Sequence, residues 1–280
     1  MSESYWNQVV ATGLALPDDR PLDELTAELT SMLGDPDPEV RERTALPALT
    51  AWLRRGVYDD LLAGLGDGIA AGLRAGLGET GTDSVLRRSA SAQLLAACIE
   101  RDNQRPLTTG GKVLEWGDRL AAWLLREQDL RSRVPGGAQA EALGHGADAM
   151  TVLARSPHLA KPELTVVLDV IADRVVAPVP TPYLLSDSDR LASATMAVLR
   201  RNLIPLSLAE PWIARISAVA QGASAPPADG DETAVRADAE AFLRSLYLQL
   251  ALGHRPPQIR ADLLLVVVEA LKAGNGFLRR

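Results

Sequence analysis

Three ionisable side chains stand four and then three positions apart in the stretch EALGHGADAM, residues 141–150. On a helix this spacing places Glu141, His145 and Asp148 on one side, because residues three and four apart are surface neighbours. The pattern leaves three interpretations open: a solvated polar face, a surface that binds a partner, and an acid–base or metal centre. Helical zinc sites usually pair two histidines, so a single histidine makes a metal centre the weaker interpretation.

Charged residues in the preceding segment, DLRSR at 129–133, extend this cluster. We predict a binding surface that combines two of them with the three residues above: Asp129, Arg131, Glu141, His145 and Asp148. No residue is assigned a catalytic or metal-ligating role. No cofactor is expected either, because the sequence has no nucleotide-binding glycine motif, no P-loop, no GxSxG and no cysteine-rich zinc pattern.

The composition indicates that helices position these residues. Hydrophobic residues make up 47% of the chain and aromatic residues only 4%. Alanine and leucine therefore dominate the core, and both favour helices over strands. Pro47 predicts a bend within the second of the helices that apolar spacing and capping residues indicate. These helices are predicted at 20–34, 35–56, 58–77, 84–101, 111–128, 137–155, 162–176, 187–202, 208–221, 232–252 and 257–273.

Weak internal similarity predicts a repeat architecture. Residues 37–49, 83–95 and 231–243 each place an acidic residue, a valine, an arginine, an alanine and a leucine in a similar order. HEAT-type helical hairpins begin in this way, and stacked hairpins supply one another's core. We expect an all-α fold in which residues 1–280 form one domain, a HEAT-like α-solenoid, with a flexible loop near 222–233. A compact helical bundle is the alternative.

Three stretches together resemble an uncharacterised bacterial family, domain of unknown function 2785. They are LGDPDPEVRERTALPALTAWLRRG, DSVLRRSASAQLLAACIERDN and GHGADAMTVLARSP. The resemblance spans roughly residues 25–215. It implies an all-helical, HEAT-like fold and no established activity.

The chain departs from the pattern of that family at three positions. Family members carry a Trp-Ala-His element ahead of their His-x-Ala-Asp segment, whereas this chain has Gln139 and Glu141 at the tryptophan and histidine positions. Ala90 stands where the family has a phenylalanine, while His145 and Asp148 match the pattern. A site built by paired histidines in the family would therefore be altered here.

The charge of the chain argues against nucleic acid as the main partner. The formal net charge is −7, and proteins that bind phosphate backbones are usually basic. Arginine doublets occur at 54–55, 87–88, 200–201 and 279–280. Three of the four are expected to close helices, where positive charge complements the helix dipole. Along one concave stripe they could instead contact phosphates.

Neither a secretory signal nor a membrane span is indicated. The first residues, MSESYWNQVV, lack a positive and then apolar region, and the most apolar stretch, 261–271, is shorter than the roughly 20 residues that a span needs. We expect a soluble, cytoplasmic protein that does not contact membranes. Cys98 lies in an apolar run and is expected to be a small buried hydrophobe.

Glycines and tryptophans in the first half of the chain are interpreted as packing residues. Glycine recurs every four residues at 64, 68, 72 and 76, which predicts a smooth ridge on one helix against a neighbouring helix. A groove for a ligand or partner is the alternative. Trp116 and Trp123 share a helix face and are expected in the core, with an aromatic clamp for a nucleobase as the alternative.

These observations favour a non-enzymatic helical repeat protein that binds a protein or small-molecule partner on its concave face. The alternative is an enzyme, either a HEAT-like DNA-repair protein, by analogy of fold alone, or a hydrolase centred on His145 with Glu141 as its acid–base partner. A family member retained for a structural role is a third interpretation.

Overall fold

The protein is all-α. The computed structural model describes residues 2–180, 182–223 and 231–278, and within them the only β pairing is an isolated bridge between Arg133 and Gln139. Each helix predicted from the sequence is present, and α1 is one that the pattern does not predict. The α-helices are α1 Ser2–Ala11, α2 Leu22–Met32, α3 Pro38–Val40, α4 Leu46–Arg54, α5 Leu62–Ala71, α6 Ser84–Gln104, α7 Gly110–Arg126, α8 Ala142–Ala154, α9 Lys161–Val175, α10 Leu185–Leu199, α11 Leu206–Ala220, α12 Glu232–Leu252 and α13 Arg260–Gly274.

A π turn lies directly before Pro47, the position at which the sequence predicts a bend. Residues Arg41–Ala45 connect α3 to α4, and the N–H of Leu46 donates to the carbonyl of Arg41, five residues back. Proline has no N–H to donate and is tolerated in the first turn of a helix, which is where Pro47 lies in α4. Such π turns are frequent at functional sites.

Contacts within the chain cluster into two compact units, Met1–Ala149 and Met150–Arg280. In each unit helices contact their second neighbours along the chain, α4 with α6 in the first and α10 with α12 in the second. This pairing is typical of stacked helical hairpins. The solenoid and the single domain remain predictions.

Of the loop predicted near 222–233, residues 224–230 lie outside the described residues, and α12 already begins at Glu232.

The first unit has a core of indoles and aliphatic side chains. Trp52, Trp116 and Trp123 are buried, which confirms the core assignment of the latter two. A Cβ on Gly66 would lie 2.2 Å from the indole of Trp116, so this glycine allows α5 to pack against α7.

The predicted ridge of four glycines is wrong as a single packed face. A Cβ on Gly72 would lie 2.2 Å from the Ser91 hydroxyl, whereas Gly64 and Gly68 have nothing within 4 Å. Gly76 follows a 3-10 turn with φ +58, a conformation that glycine adopts without strain. The glycine repeat therefore serves separate local purposes.

A buried ion pair joins α6 to the end of α7. Arg88 and Glu127 are 0% and 1% exposed, and two guanidinium nitrogens contact the two carboxylate oxygens at 2.5 and 2.8 Å. The remaining Arg88 nitrogen donates to the carbonyls of Ala75 and Gly76 at 2.9 and 2.8 Å. The Trp123 indole N–H donates to Glu127 at 2.9 Å. This geometry satisfies both charges with directed hydrogen bonds, which a buried pair requires.

The second unit contains a buried carboxylate, Asp238, which is 2% exposed. One oxygen accepts the Tyr183 N–H at 2.7 Å, and the other has no hydrogen-bond partner among the described residues. Burial raises the pKa of Asp238 to about 6, against the lowering effects of the Tyr183 N–H and the Arg174 charge. Desolvation is thus the larger effect on this group.

Replacing Glu127 with glutamine should lower the free energy of unfolding by about 3–5 kcal/mol, because Arg88 would remain buried without its counter-charge. Denaturant unfolding monitored by circular dichroism measures the change. Glu115→Gln is the matched control, since that carboxylate is 43% exposed and pairs with Lys112 and Arg119. A loss in Glu127→Gln no larger than in this control would contradict the prediction.

Replacing Asp238 with asparagine should raise stability at pH 8 by about 1–3 kcal/mol, since the folded pKa of about 6 lies above the ordinary 3.8. The protonated carboxyl contributes stability that is complete below pH 4 and is lost as the pH rises through 6. The difference in stability between Asp238→Asn and the natural chain should therefore vanish near pH 4. Denaturant unfolding at pH 4, 6 and 8 tests this, and a variant that is less stable than the natural chain at pH 8 would refute it.

Candidate functional site

The segment between α7 and α8, residues 127–141, is anchored at its beginning. A Glu127 oxygen accepts the Asp129 N–H at 3.0 Å, and Asp129 in turn accepts the Gly81 N–H at 2.9 Å. The guanidinium of Arg131 lies 3.0 Å from the Asp129 carboxylate and donates to the carbonyl of Thr82. These contacts attach the segment to the turn that precedes α6.

The far end of the segment is held by the π turn. Arg41 donates to the Gln139 carbonyl at 2.5 Å, and the Gln139 N–H donates to Glu42 at 2.7 Å. Arg41 and Glu42 also form an ion pair with each other, with an N–O distance of 2.6 Å. Both backbone groups of Gln139 are therefore fixed, which leaves its side chain to line the adjoining space.

The charge of Arg41 is almost fully removed from solvent. Its side chain is 1% exposed, and Nε has no hydrogen-bond partner in the part of the chain that the structure describes. Burial lowers the pKa of Arg41, and the neighbouring Glu42 carboxylate partly opposes this effect. A buried donor without a partner is costly, so this position is unfavourable for stability alone.

Ser89 orients the histidine of the predicted cluster. It is 0% exposed, donates to the Ala140 carbonyl, and its oxygen lies 2.7 Å from Nδ1 of His145. The single hydroxyl proton is used on Ala140, so the hydrogen in the second contact must come from Nδ1. Neutral His145 is therefore the Nδ1–H tautomer, with its lone pair on Nε2.

These side chains meet at a cavity of about 550 Å³ in the first unit, which we name the Arg41–His145 cavity. This volume is in the range of small-molecule sites. Apolar side chains and polar or charged ones share its wall. The lining residues are Leu14, Arg41, Glu42, Leu46, Pro47, Thr50, Ala51, Arg54, Gln93, Gln139 and His145.

The five residues predicted as a binding surface are only partly brought together. His145 is half-buried and lines the cavity, while Glu141 is half-buried immediately before α8 and Asp148 is exposed on α8. Asp129 and Arg131 form the anchor described above and are not among the lining residues. Binding by the five residues as one surface stays a prediction.

The Glu141 backbone has φ +45, which is uncommon for a residue other than glycine. Its carbonyl accepts the His145 N–H at 2.9 Å, the first hydrogen bond of α8. The unusual backbone thus lies directly at the turn that presents the histidine. Such positions concentrate at functional sites.

The site residues that the sequence pattern does not predict include Arg41, Glu42, Arg54 and Gln93. Arg41 lies 98 positions from its Gln139 contact, and Ser89 lies 56 positions from His145. Helical periodicity carries no information about such distant pairs. The one available signal was the proline inside the predicted helix 35–56, since it predicted a bend there.

Among residues 2–180, 182–223 and 231–278, no group of three or more histidine, cysteine, aspartate or glutamate side chains is arranged to hold a metal ion. No helix in the part of the chain that the structure describes has the length and apolar character that crossing a bilayer demands.

The model of a protein family described as "protein of unknown function (DUF2785)" matches residues 73–248, more than half of the chain. The chain belongs to this family. Searches of the curated proteins and of the solved structures find no match. The matched range contains Ser89, Gln93, Gln139 and His145, whereas the α3–α4 side of the cavity precedes it. The family assignment therefore covers only one wall of the site.

Replacing Ser89 with alanine should shift neutral His145 away from the Nδ1–H tautomer, because the acceptor that fixes it is lost. Long-range ¹H–¹⁵N correlation spectra report the tautomer, and the chain has only three histidines. Ser91→Ala is the control, since that buried hydroxyl donates to the Arg87 carbonyl instead. An Nε2–H tautomer in the natural chain, or an unchanged tautomer in Ser89→Ala, would disprove the assignment.

Proposed function

We propose that the protein is a non-enzymatic helical protein that binds a small molecule in the Arg41–His145 cavity. The observation that carries the proposal is the cavity itself, lined by an oriented imidazole, two glutamine amides and two arginines beside apolar side chains. Ligand sites combine an apolar wall with a few fixed polar groups in this way. The solenoid arrangement and the cytoplasmic location expected from the sequence remain predictions.

The way in which the polar groups are held supports binding rather than packing. Gln139 is fixed through its backbone by Arg41 and Glu42, and His145 is fixed through Ser89. Groups that are positioned in advance lose little entropy when a ligand arrives. A purely structural core would reach the same stability with apolar side chains of similar volume.

The arginine doublets do not favour nucleic-acid binding. Arg55 donates to the carbonyls of Gly13 and Leu14, Arg87 donates to that of Thr30, and Arg88 is buried with Glu127. The doublet of the second unit also binds carbonyls. Arg200 donates to the carbonyls of His254 and Arg255. Arg201 donates to three carbonyls near the end of α8, those of Ala154, Ser156 and Leu159. The doublet at 279–280 lies outside the described residues. The described doublets, Arg54 excepted, are thus engaged in structural contacts, which weighs against a DNA-repair function.

A hydrolase centred on His145 is the second candidate, and one observation favours it. The imidazole lines a cavity, and histidine is the most common general base in enzymes. Ser89 is a poor nucleophile in this scheme because it is 0% exposed and its proton is donated to Ala140. Turnover of small esters that His145→Gln abolishes would favour this candidate over binding alone.

Screening a fragment library by NMR against histidine-labelled protein tests the proposal. Ligands of the cavity should shift the His145 signals and leave His158 and His254 unchanged, since both belong to the second unit. Gln93→Trp should reduce this binding at least tenfold, because Gln93 is exposed and an indole there would fill the cavity.

Gln104→Trp provides the matched control for that variant. Gln104 is an exposed glutamine at the end of the same helix and is not a lining residue. Ligands that bind the natural chain and Gln93→Trp equally well, or that never perturb His145, would rule out the cavity as the binding site.

A further inference from the structure

We infer that the ligand of the Arg41–His145 cavity is a monocarboxylic acid with a short hydrocarbon chain, and that Arg54 binds its carboxylate. This inference rests on the function proposed above and names the class of ligand. It is carried by the charges of the lining residues and by their order along α4.

The two lining arginines differ in their partners. Arg41 is neutralised by Glu42, whose Oε1 accepts from both Arg41 and the Gln139 N–H. Arg54 is exposed and forms no ion pair or hydrogen bond with the described residues. The adjacent Arg55, by contrast, donates to the Gly13 and Leu14 carbonyls. One arginine of this doublet is therefore structural, and the other offers its guanidinium to the cavity.

The cavity has an excess of positive charge and of donors. Glu42 is the only carboxylate among the described residues that line it, and that group is already paired with Arg41. The guanidinium of Arg54 and the amides of Gln93 and Gln139 add donors to the lining of the cavity. A guanidinium presents two parallel N–H groups that match the two oxygens of a carboxylate. A ligand with an anionic acceptor thus complements the cavity better than a neutral or cationic one.

Spacing along α4 indicates where the rest of the ligand would lie. Leu46, Thr50 and Arg54 are four residues apart and share one helix face, and Pro47 and Ala51 flank them. From Leu46 to Arg54 the helix rises about 12 Å. The charged end of this face is at Arg54 and the apolar end is beside the π turn. A hydrocarbon chain running from a carboxylate at Arg54 would extend along this face towards Leu46 and Pro47.

A phosphate monoester fits this arrangement less well. Phosphate sites usually combine several cations or a helix N-terminus, because the group carries close to two negative charges. Here one arginine lacks a counter-charge, and it lies in the last turn of α4. A single bidentate partner favours a monoanion.

Isothermal titration of the full chain with hexanoate, hexanamide and hexyl phosphate tests the inference. Hexanoate should bind at least tenfold more tightly than either analogue. Arg54→Gln should weaken hexanoate about 10- to 100-fold, since a charge-assisted bidentate contact is lost, and should leave hexanamide unchanged. Arg43→Gln removes the same charge from an arginine that is 73% exposed and pairs with Glu39 outside the cavity, and it should have no effect.

The outcomes separate the ligand class from the function on which it rests. Equal binding of hexanoate and hexanamide, tighter binding of hexyl phosphate, or unchanged hexanoate binding in Arg54→Gln would each overturn the inference. If His145 still responds in those cases, the proposed function stands. If none of the three probes perturbs His145 at millimolar concentration, the inference fails. The proposed function fails with it only if the fragment library is also without effect on His145.

Discussion

Two adjacent residues of α6, Arg88 and Ser89, hold the two ends of the segment that carries the candidate site. Arg88 binds Glu127 where the segment begins, and Ser89 binds the Ala140 carbonyl and the His145 ring where it ends. Both side chains are 0% exposed, so neither contact competes with solvent. The twelve residues between Glu127 and Ala140 can only follow the path that these two anchors permit. The position of the imidazole is thus a consequence of how α6 packs.

Guanidinium groups compensate for the scarcity of aromatic residues in this chain. Carbonyls at the ends of helices have no partner within their own helix. Here Arg87 reaches the Thr30 carbonyl of α2, Arg201 reaches the end of α8, and Arg260 binds the Leu250 and Ala251 carbonyls of α12. Long side chains of this kind fill space with their methylene groups and satisfy the carbonyls with their heads. An acidic protein can therefore contain many arginines and still offer few of them to an anionic partner.

The sequence was informative where structure is decided locally. Asp37 and Asp231 cap α3 and α12 as their types predict, and Gly56 follows α4 in the left-handed conformation. The all-α fold and the family followed from such signals and from the composition. The candidate site did not, apart from His145, because the contacts that hold it together across the chain join residues 51 to 98 positions apart. Asp129 shows why residue type alone does not identify a binding residue. A charged side chain at this position suggested a binding surface, yet Asp129 is 4% exposed and accepts the Gly81 N–H.

The burial of Arg41 connects the stability of the first unit to the geometry of the site. Its Nε has no hydrogen-bond partner among the described residues, and a buried ion pair is often no more stable than apolar side chains of the same volume. What the Arg41–Glu42 pair does provide is a fixed backbone at Gln139, at the edge of the cavity. The π turn and α4 would release Gln139 if they opened locally, so the cavity exists only while this part of the unit is folded. A ligand that binds only the folded cavity must therefore stabilise α3 and α4 against local opening, by a free energy that grows with ligand concentration as RT ln(1 + [L]/Kd).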